Sequence, residues 1–206
     1  MTTTALSTVS ESGPQTGEIA KLTPGTWTVD PSHTNVGFTV RHLMVSKVRG
    51  RFGAFTGVVT IAENPLESTV EATVDTTSIT TNDEARDQHL RSADFFEVEK
   101  YPNMTLRSSG VERRGSDFVL HADLTIRGIT RQVELDLEFD GVENDPWGGI
   151  RAGFTASAEI SRKDFGLEWN AALETGGVVV GDKVKILIEA ELIKDAAPVA
   201  AQGQES

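Results

Sequence analysis

Apolar and polar side chains alternate with a period of two through most of the chain, which restricts it to strands with one buried face. Val133, Leu135, Leu137 and Phe139 alternate with Gln132, Glu134, Asp136 and Glu138. Phe118, Leu120, Ala122, Leu124 and Ile126 repeat the pattern, as do Phe154, Ala156, Ala158 and Ile160. Ile186, Ile188, Ala190 and Leu192 form another such face, and Val36, Phe38 and Val40 an earlier one. Weaker alternation marks 51–61, 68–76 and 102–111. About eight strands result, with turn signals at Arg114-Gly115-Ser116, Arg127-Gly128 and Asp140-Gly141.

One interruption reads as helical. Thr81 to Arg91 has Asn82 as an N-cap and acids in its first turn, and Asp94-Phe95-Phe96 adds a short apolar turn. The expected fold is therefore all-β: an eight-stranded antiparallel barrel with a short helical insertion over 82–97. Closing the sheet removes unpaired edges and encloses an interior that side chains either fill or leave open for one small ligand. Ala72, Ala122, Ala156, Ala158, Ala190, Thr76 and Ser108 are small residues on the apolar faces. They fit a cavity, and they fit tight packing as well. Flanking the barrel, expected over 24–194, residues 1–23 and 195–206 are polar or Pro/Ala/Gly-rich without periodicity and read as disordered tails.

Charge and composition remove several function classes. The 206 residues include 31 acidic and 19 basic side chains, a net charge of −12, which argues against nucleic acid as a partner and against electrostatic docking on anionic lipid. No cysteine is present, so disulfides and thiolate chemistry are excluded. No apolar run reaches the length of a membrane-spanning helix, and the first ten residues lack the basic start and apolar stretch of a secretory signal. The cytoplasm is the expected compartment.

No catalytic or metal constellation stands out. His33, His42, His89 and His121 have no metal-ligand spacing, so neither a metal nor a cofactor is expected. Asp87 and His89 suggest a general base, yet residues two apart on a helix point in different directions. Gly50, Gly53 and Gly57 lack the strand-to-helix context of a phosphate loop. Arg113-Arg114 and Arg162-Lys163 are too few for a nucleic-acid face, and Trp27, Trp147 and Trp169 read as packing or rim residues.

The order of short motifs is more specific than any one of them. Trp27-Thr28-Val29-Asp30-Pro31-Ser32-His33-Thr34 leads into Val36-Gly37-Phe38-Thr39-Val40-Arg41-His42. Gly50-Arg51-Phe52, Phe55-Thr56-Gly57, Ser78-Ile79-Thr80-Thr81 and the run Arg86 to Phe96 follow. Tyr101 to Thr105, Leu124 to Thr130, Ser161 to Gly166 and Val180 to Val184 complete the series. From about Gly25 to Lys194 the chain resembles the YceI-like, or polyisoprenoid-binding, family. The resemblance implies a lipocalin-like barrel that holds an isoprenoid-type lipid, with no catalytic activity, and it is compatible with a homodimer. Quinone, prenyl pyrophosphate and other lipids all remain open as ligand. By parity, Val36, Phe38, Val40, Leu120, Leu124, Leu135, Leu137, Phe139 and Phe154 are the expected ligand-binding inner face. Arg41, Arg86 and His89 are candidate head-group contacts, and 82–97 and the loop at 42–48 are candidate lids. A hydrolase or isomerase using Asp87 and His89, and a filled scaffold barrel, stand as alternatives.

Overall fold

Among the described residues, period-two alternation becomes eleven strand segments, ordered along the chain as β1 (Gly25–Val29), β2 (Asn35–His42), β3 (Ser46–Phe52), β4 (Phe55–Ile61), β5 (Thr69–Asp75) and β6 (Ile79–Thr80), then, after the helix α1 (Glu84–Arg91), β7 (Asn103–Arg114), β8 (Asp117–Ile126), β9 (Ile129–Asn144), β10 (Ile150–Ser161) and β11 (Val180–Lys194). The structure is a computed structural model that describes residues 22–43, 45–172 and 178–196. Most of both expected tails lies outside the described residues. Packing nevertheless passes the expected barrel limits at both ends. Leu22 is buried, and the Asp195 N–H donates to the Thr26 carbonyl at 2.9 Å.

The eleven segments make eight antiparallel courses. The C-terminal part of β11 pairs with β1 (Trp27 with Lys194, Val29 with Leu192), and its N-terminal part pairs with β2 (Val36 with Ile188, Val40 with Val184). In the next course β4 pairs with β1 and β3 with β2. Thus β1/β2 and β3/β4 are each one course bent in the middle, and β5/β6 is a third, interrupted by the 3₁₀ turn Thr76–Ser78. Strands β7 to β11 follow in sequence order, and the β1–β11 pairing closes the ring. The result is the expected closed eight-stranded barrel.

Several local expectations need correction. The stretch 51–61 is two strands, because the course bends at Gly53-Ala54 between β3 and β4. The proposed lid at 42–48 is mostly strand: β2 ends at His42 and β3 begins at Ser46, leaving a tight hairpin. Asp140-Gly141 is no turn. It lies inside β9, where Phe139 pairs with Phe154 and Gly141 with Gly153, so Asp140 is the extra residue of a bulge. The helix N-cap is Asp83, whose carboxylate accepts from the Arg86 N–H at 3.1 Å, while Asn82 takes a positive φ. Arg127-Gly128 is a true two-residue hairpin, with positive φ at both positions as the right-handed twist of the flanking strands requires. Gly50 faces Phe38 across β2 and β3, and a Cβ there would lie 2.3 Å from that ring.

The edge of β6 has no strand partner on its far side among the described residues, and the insertion covers it. Arg91 donates to the Thr77 and Ile79 carbonyls at 2.9 and 2.8 Å, and Phe96 packs edge-on against Phe52. Arg127 ties the far side down, bonding Glu97 at 2.9 Å and the Gly166 carbonyl at 2.7 Å.

Trp27 anchors the opposite end. Its side chain is fully buried among Leu22, Val59, Ile61, Phe139 and Leu192, and its indole N–H donates to the Thr23 carbonyl at 3.2 Å. Trp27→Ala should therefore cost about 3–5 kcal/mol, from lost burial and the cavity left at the closing seam. Urea unfolding measures this, and a loss below about 1 kcal/mol would show that the seam does not depend on Trp27.

Candidate functional site

Alternation along every course turns one set of side chains inward, and that set does not fill the ring. A cavity of about 330 Å³ runs through the barrel, within the size range of small-molecule sites. All nine residues expected on the inner face line it: Val36, Phe38, Val40, Leu120, Leu124, Leu135, Leu137, Phe139 and Phe154. Leu90, Phe95 and Phe96 of the insertion, with Phe165 and Leu167, line it at one end, and Leu22, Ile61 and Phe139 at the other. Ala72, Ala156, Ala158 and Ala190 are part of the wall, where larger side chains would occupy the bore. Thr76 and Ser108 have a different task. The Thr76 hydroxyl donates to the Tyr101 carbonyl at 2.8 Å, and the Ser108 hydroxyl accepts from the Val70 N–H at 2.7 Å.

The three candidate head-group contacts are outside this wall. Arg41 follows Val40 on β2 and so faces outward, exposed. The Arg86 guanidinium holds the helix start, donating to the Thr81 hydroxyl at 2.7 Å and the Thr81 carbonyl at 3.1 Å. His89 bonds Asp94 at 2.8 Å and packs edge-on against Phe95 and Trp169.

Asp87 and His89 are not brought together. Asp87 is buried, and its Oδ1 accepts the Thr81 N–H at 2.7 Å and the Thr81 hydroxyl at 2.5 Å. Burial alone would raise this carboxyl, but hydrogen bonds from Thr81 and Thr80 and the charge of Arg91 outweigh it and hold the group below its ordinary value. The pair thus has two separate anchoring tasks, with no shared proton.

Sequence reasoning missed Arg162, among the described residues the one charged side chain in the cavity wall and itself buried. Its guanidinium donates to the carbonyls of Gly181 (3.0 Å), Trp169 (2.9 Å), Leu167 and Val180, and to Asp182 at 3.3 Å. All five N–H groups have partners, so Arg162 clamps the 162–170 segment to the start of β11 and leaves no donor for a ligand. Burial pulls its pKa down, while Asp182 opposes that shift.

A second missed cluster sits at the bend between β1 and β2. Asp30, His33 and Glu191 bring metal-type ligand atoms within 4.8 Å of one another. A guanidinium already balances them: Arg151 bonds Asp30 at 2.8 Å, Glu191, and Asp145 at 3.0 Å. Asp30 and Glu191 lie 161 positions apart, so no sequence spacing could have shown the cluster.

Comparison with known proteins gives the same outline. A family model described as a YceI-like domain matches residues 27–192. UPF0312 protein SAS2572 of Staphylococcus aureus is 39% identical over 168 residues, covering 80% of this chain and 95% of its own. The crystal structure of a Campylobacter jejuni YCEI protein is 29% identical with a TM-score of 0.66, covering 81% of this chain and 96% of that one. A polyisoprenoid binding domain from Saccharophagus degradans, implicated in plant cell wall breakdown, shares the fold at 17% identity and a TM-score of 0.64, covering 82% of this chain and 98% of that one.

The Arg151 cluster makes the barrel end sensitive to acid. His33, then Arg151 and the Ser32 N–H, hold the Asp30 carboxyl well below its ordinary value, and the Gly149 N–H, with Arg151 and the Trp147 N–H, lowers Asp145. Carboxyls depressed in the folded state contribute stability that is complete above their unfolded value, near 3.8, and is lost as pH falls through the folded values. The thermal midpoint should therefore hold at mildly acidic pH and fall steeply below about pH 4. Arg151→Gln should lower it at neutral pH and flatten the acid fall; an unchanged acid slope would show that the cluster does not carry the dependence.

Proposed function

Because this chain belongs to the YceI-like domain family, we propose that its barrel binds or carries, without catalysis, a long-chain isoprenoid or related lipid. The observation that carries this reading is the cavity itself, a bore of about 330 Å³ whose only charged lining residue among those described, Arg162, has every donor engaged. Protein interiors pack closely, and unfilled apolar space costs on the order of 24 cal/mol per Å³. An apolar guest relieves that cost, whereas a scaffold barrel would gain from filling the bore with larger side chains. The alanine wall positions favour the guest. The polyisoprenoid reading of a neighbour with the same fold supports the choice of lipid class.

The hydrocarbon supplies the affinity. Burial contributes about 0.8 kcal/mol per carbon, so one isoprene unit is worth up to about 4 kcal/mol before ordering costs. Among the described residues no buried side-chain polar atom lacks a hydrogen-bond partner, so no buried unpaired group competes with that term. The hydrolase or isomerase reading has less behind it, since Asp87 is committed to Thr81 and His89 to Asp94.

Organic extraction of the purified protein and mass spectrometry should find a long-chain isoprenoid near stoichiometric amount, or accept one on loading. An extract that stays empty after loading favours the scaffold. Phe154 pairs with Phe139, ring centroids 5.2 Å apart, in the cavity wall. Phe154→Asp should nearly abolish binding by placing an unpaired carboxylate beside the chain, and Phe154→Trp should shorten the accepted chain. Arg86→Ala and His89→Ala should weaken binding only modestly. Affinities for isoprenoids of stepped length, with each variant's fold checked, decide the matter: an Arg86 or His89 effect larger than the loss of two isoprene units overturns the tail-dominated mechanism.

A further inference from the structure

The acidic total conceals a segregated basic face. On the outer side of the β2–β3 hairpin, Arg41 stands directly opposite Lys47, and Arg49 and Arg51 continue the row at every second residue of β3. All four are exposed, and none has a hydrogen-bond or ion-pair partner among the described residues. Like charges placed directly across a strand pair destabilise it. Four such cations left unneutralised on a chain of net charge −12 call for an external anion.

The tip of the same hairpin is apolar. Val45 is 83% exposed and Leu43 is exposed beside it, with the Leu43 N–H bonded to the Val179 carbonyl at 2.9 Å and exposed Val178 next to that contact. An apolar tip above a basic row matches a bilayer, with tip side chains among the acyl chains and cations at the anionic head groups. Nucleic acid would use the cations but has little use for the exposed valines. Val58, Leu66 and Leu187 are exposed singly elsewhere, and Trp147, the most exposed of the remainder, lies at the opposite barrel end beside Glu143 and Asp145, with no such cationic row among the described residues.

We propose that the β2–β3 hairpin docks this protein on an anionic membrane surface, through Arg41, Lys47, Arg49 and Arg51 and the exposed apolar side chains of Leu43 and Val45. The face adjoins the cavity: Val40 and Val180 belong to the cavity wall, and Val180 pairs with His42 at the base of the tip. Docking does not require cargo, so it stands or falls separately from the lipid-carrier reading.

The test is co-sedimentation of the full chain, before and after lipid extraction, with phosphatidylcholine–phosphatidylglycerol vesicles and with pure phosphatidylcholine vesicles. The expected result is partition onto the anionic vesicles that falls with salt and is unchanged by extraction. Lys47→Gln with Arg49→Gln should weaken it at least about tenfold, at roughly 1 kcal/mol per cation. Val45→Ser should weaken it further, and Trp147→Ser should leave it as it was. The double variant should also keep or raise the thermal midpoint, because a like-charge row has been relieved. No partition, equal partition onto neutral vesicles, or a double variant that binds as the parent chain overturns the proposal. So does salt-sensitive binding to single-stranded DNA in place of vesicles.

Discussion

Everything about this barrel depends on one strand serving two partners. β11 is long enough to pair with β2 along its first part and with β1 at its end, and the second pairing closes the ring through only three residue pairs. Trp27 lies in that short seam, and its fully buried ring adds apolar packing to those three pairs. Without closure, the inward side chains would form one face of an open sheet exposed to water. With it, they enclose a bore.

The same closure explains how much of the molecule alternation could reveal. Parity along a strand depends only on neighbours two residues apart, so the inner face over Leu120, Leu124, Leu135 and Leu137 was readable without knowing which strands pair. The bends in the courses were not. A strand that turns at Gly53-Ala54 and one that stops there have the same alternation on either side, and β1 is too short to announce itself. The Asp140 bulge misled for a related reason: Asp-Gly is a turn signal in isolation, and only the pairing of Phe139 with Phe154 shows that the strand continues through it.

Polar side chains were the least legible, because their tasks are tertiary. Arg162 looked like half of a basic pair, yet it is a buried clamp whose acceptors are mostly backbone carbonyls, and no residue type marks these. Asp87 looked like half of a catalytic pair, although its partner is the threonine six residues earlier. Arg41 was the clearest warning. Its parity placed it outside the barrel even while its charge suggested a ligand contact, and the structure follows parity. Net charge failed similarly: −12 describes the whole chain, whereas a surface interaction is set by the few charges on one face.

These polar placements divide the barrel into ends with different physics. At the β1 end, Arg151 gathers three carboxylates and fixes the bend between β1 and β2. At the other end the cover is a separate chain segment, held by hydrogen bonds from Arg91, Arg127 and Arg162 to backbone carbonyls and without a strand ladder at the β6 edge. A ladder opens only cooperatively, while a segment held by a few side chains can move as a unit at lower cost. The insertion that covers the bore is fastened in this second way. That is also the end at which the β2–β3 hairpin presents its cations beside the exposed Leu43 and Val45.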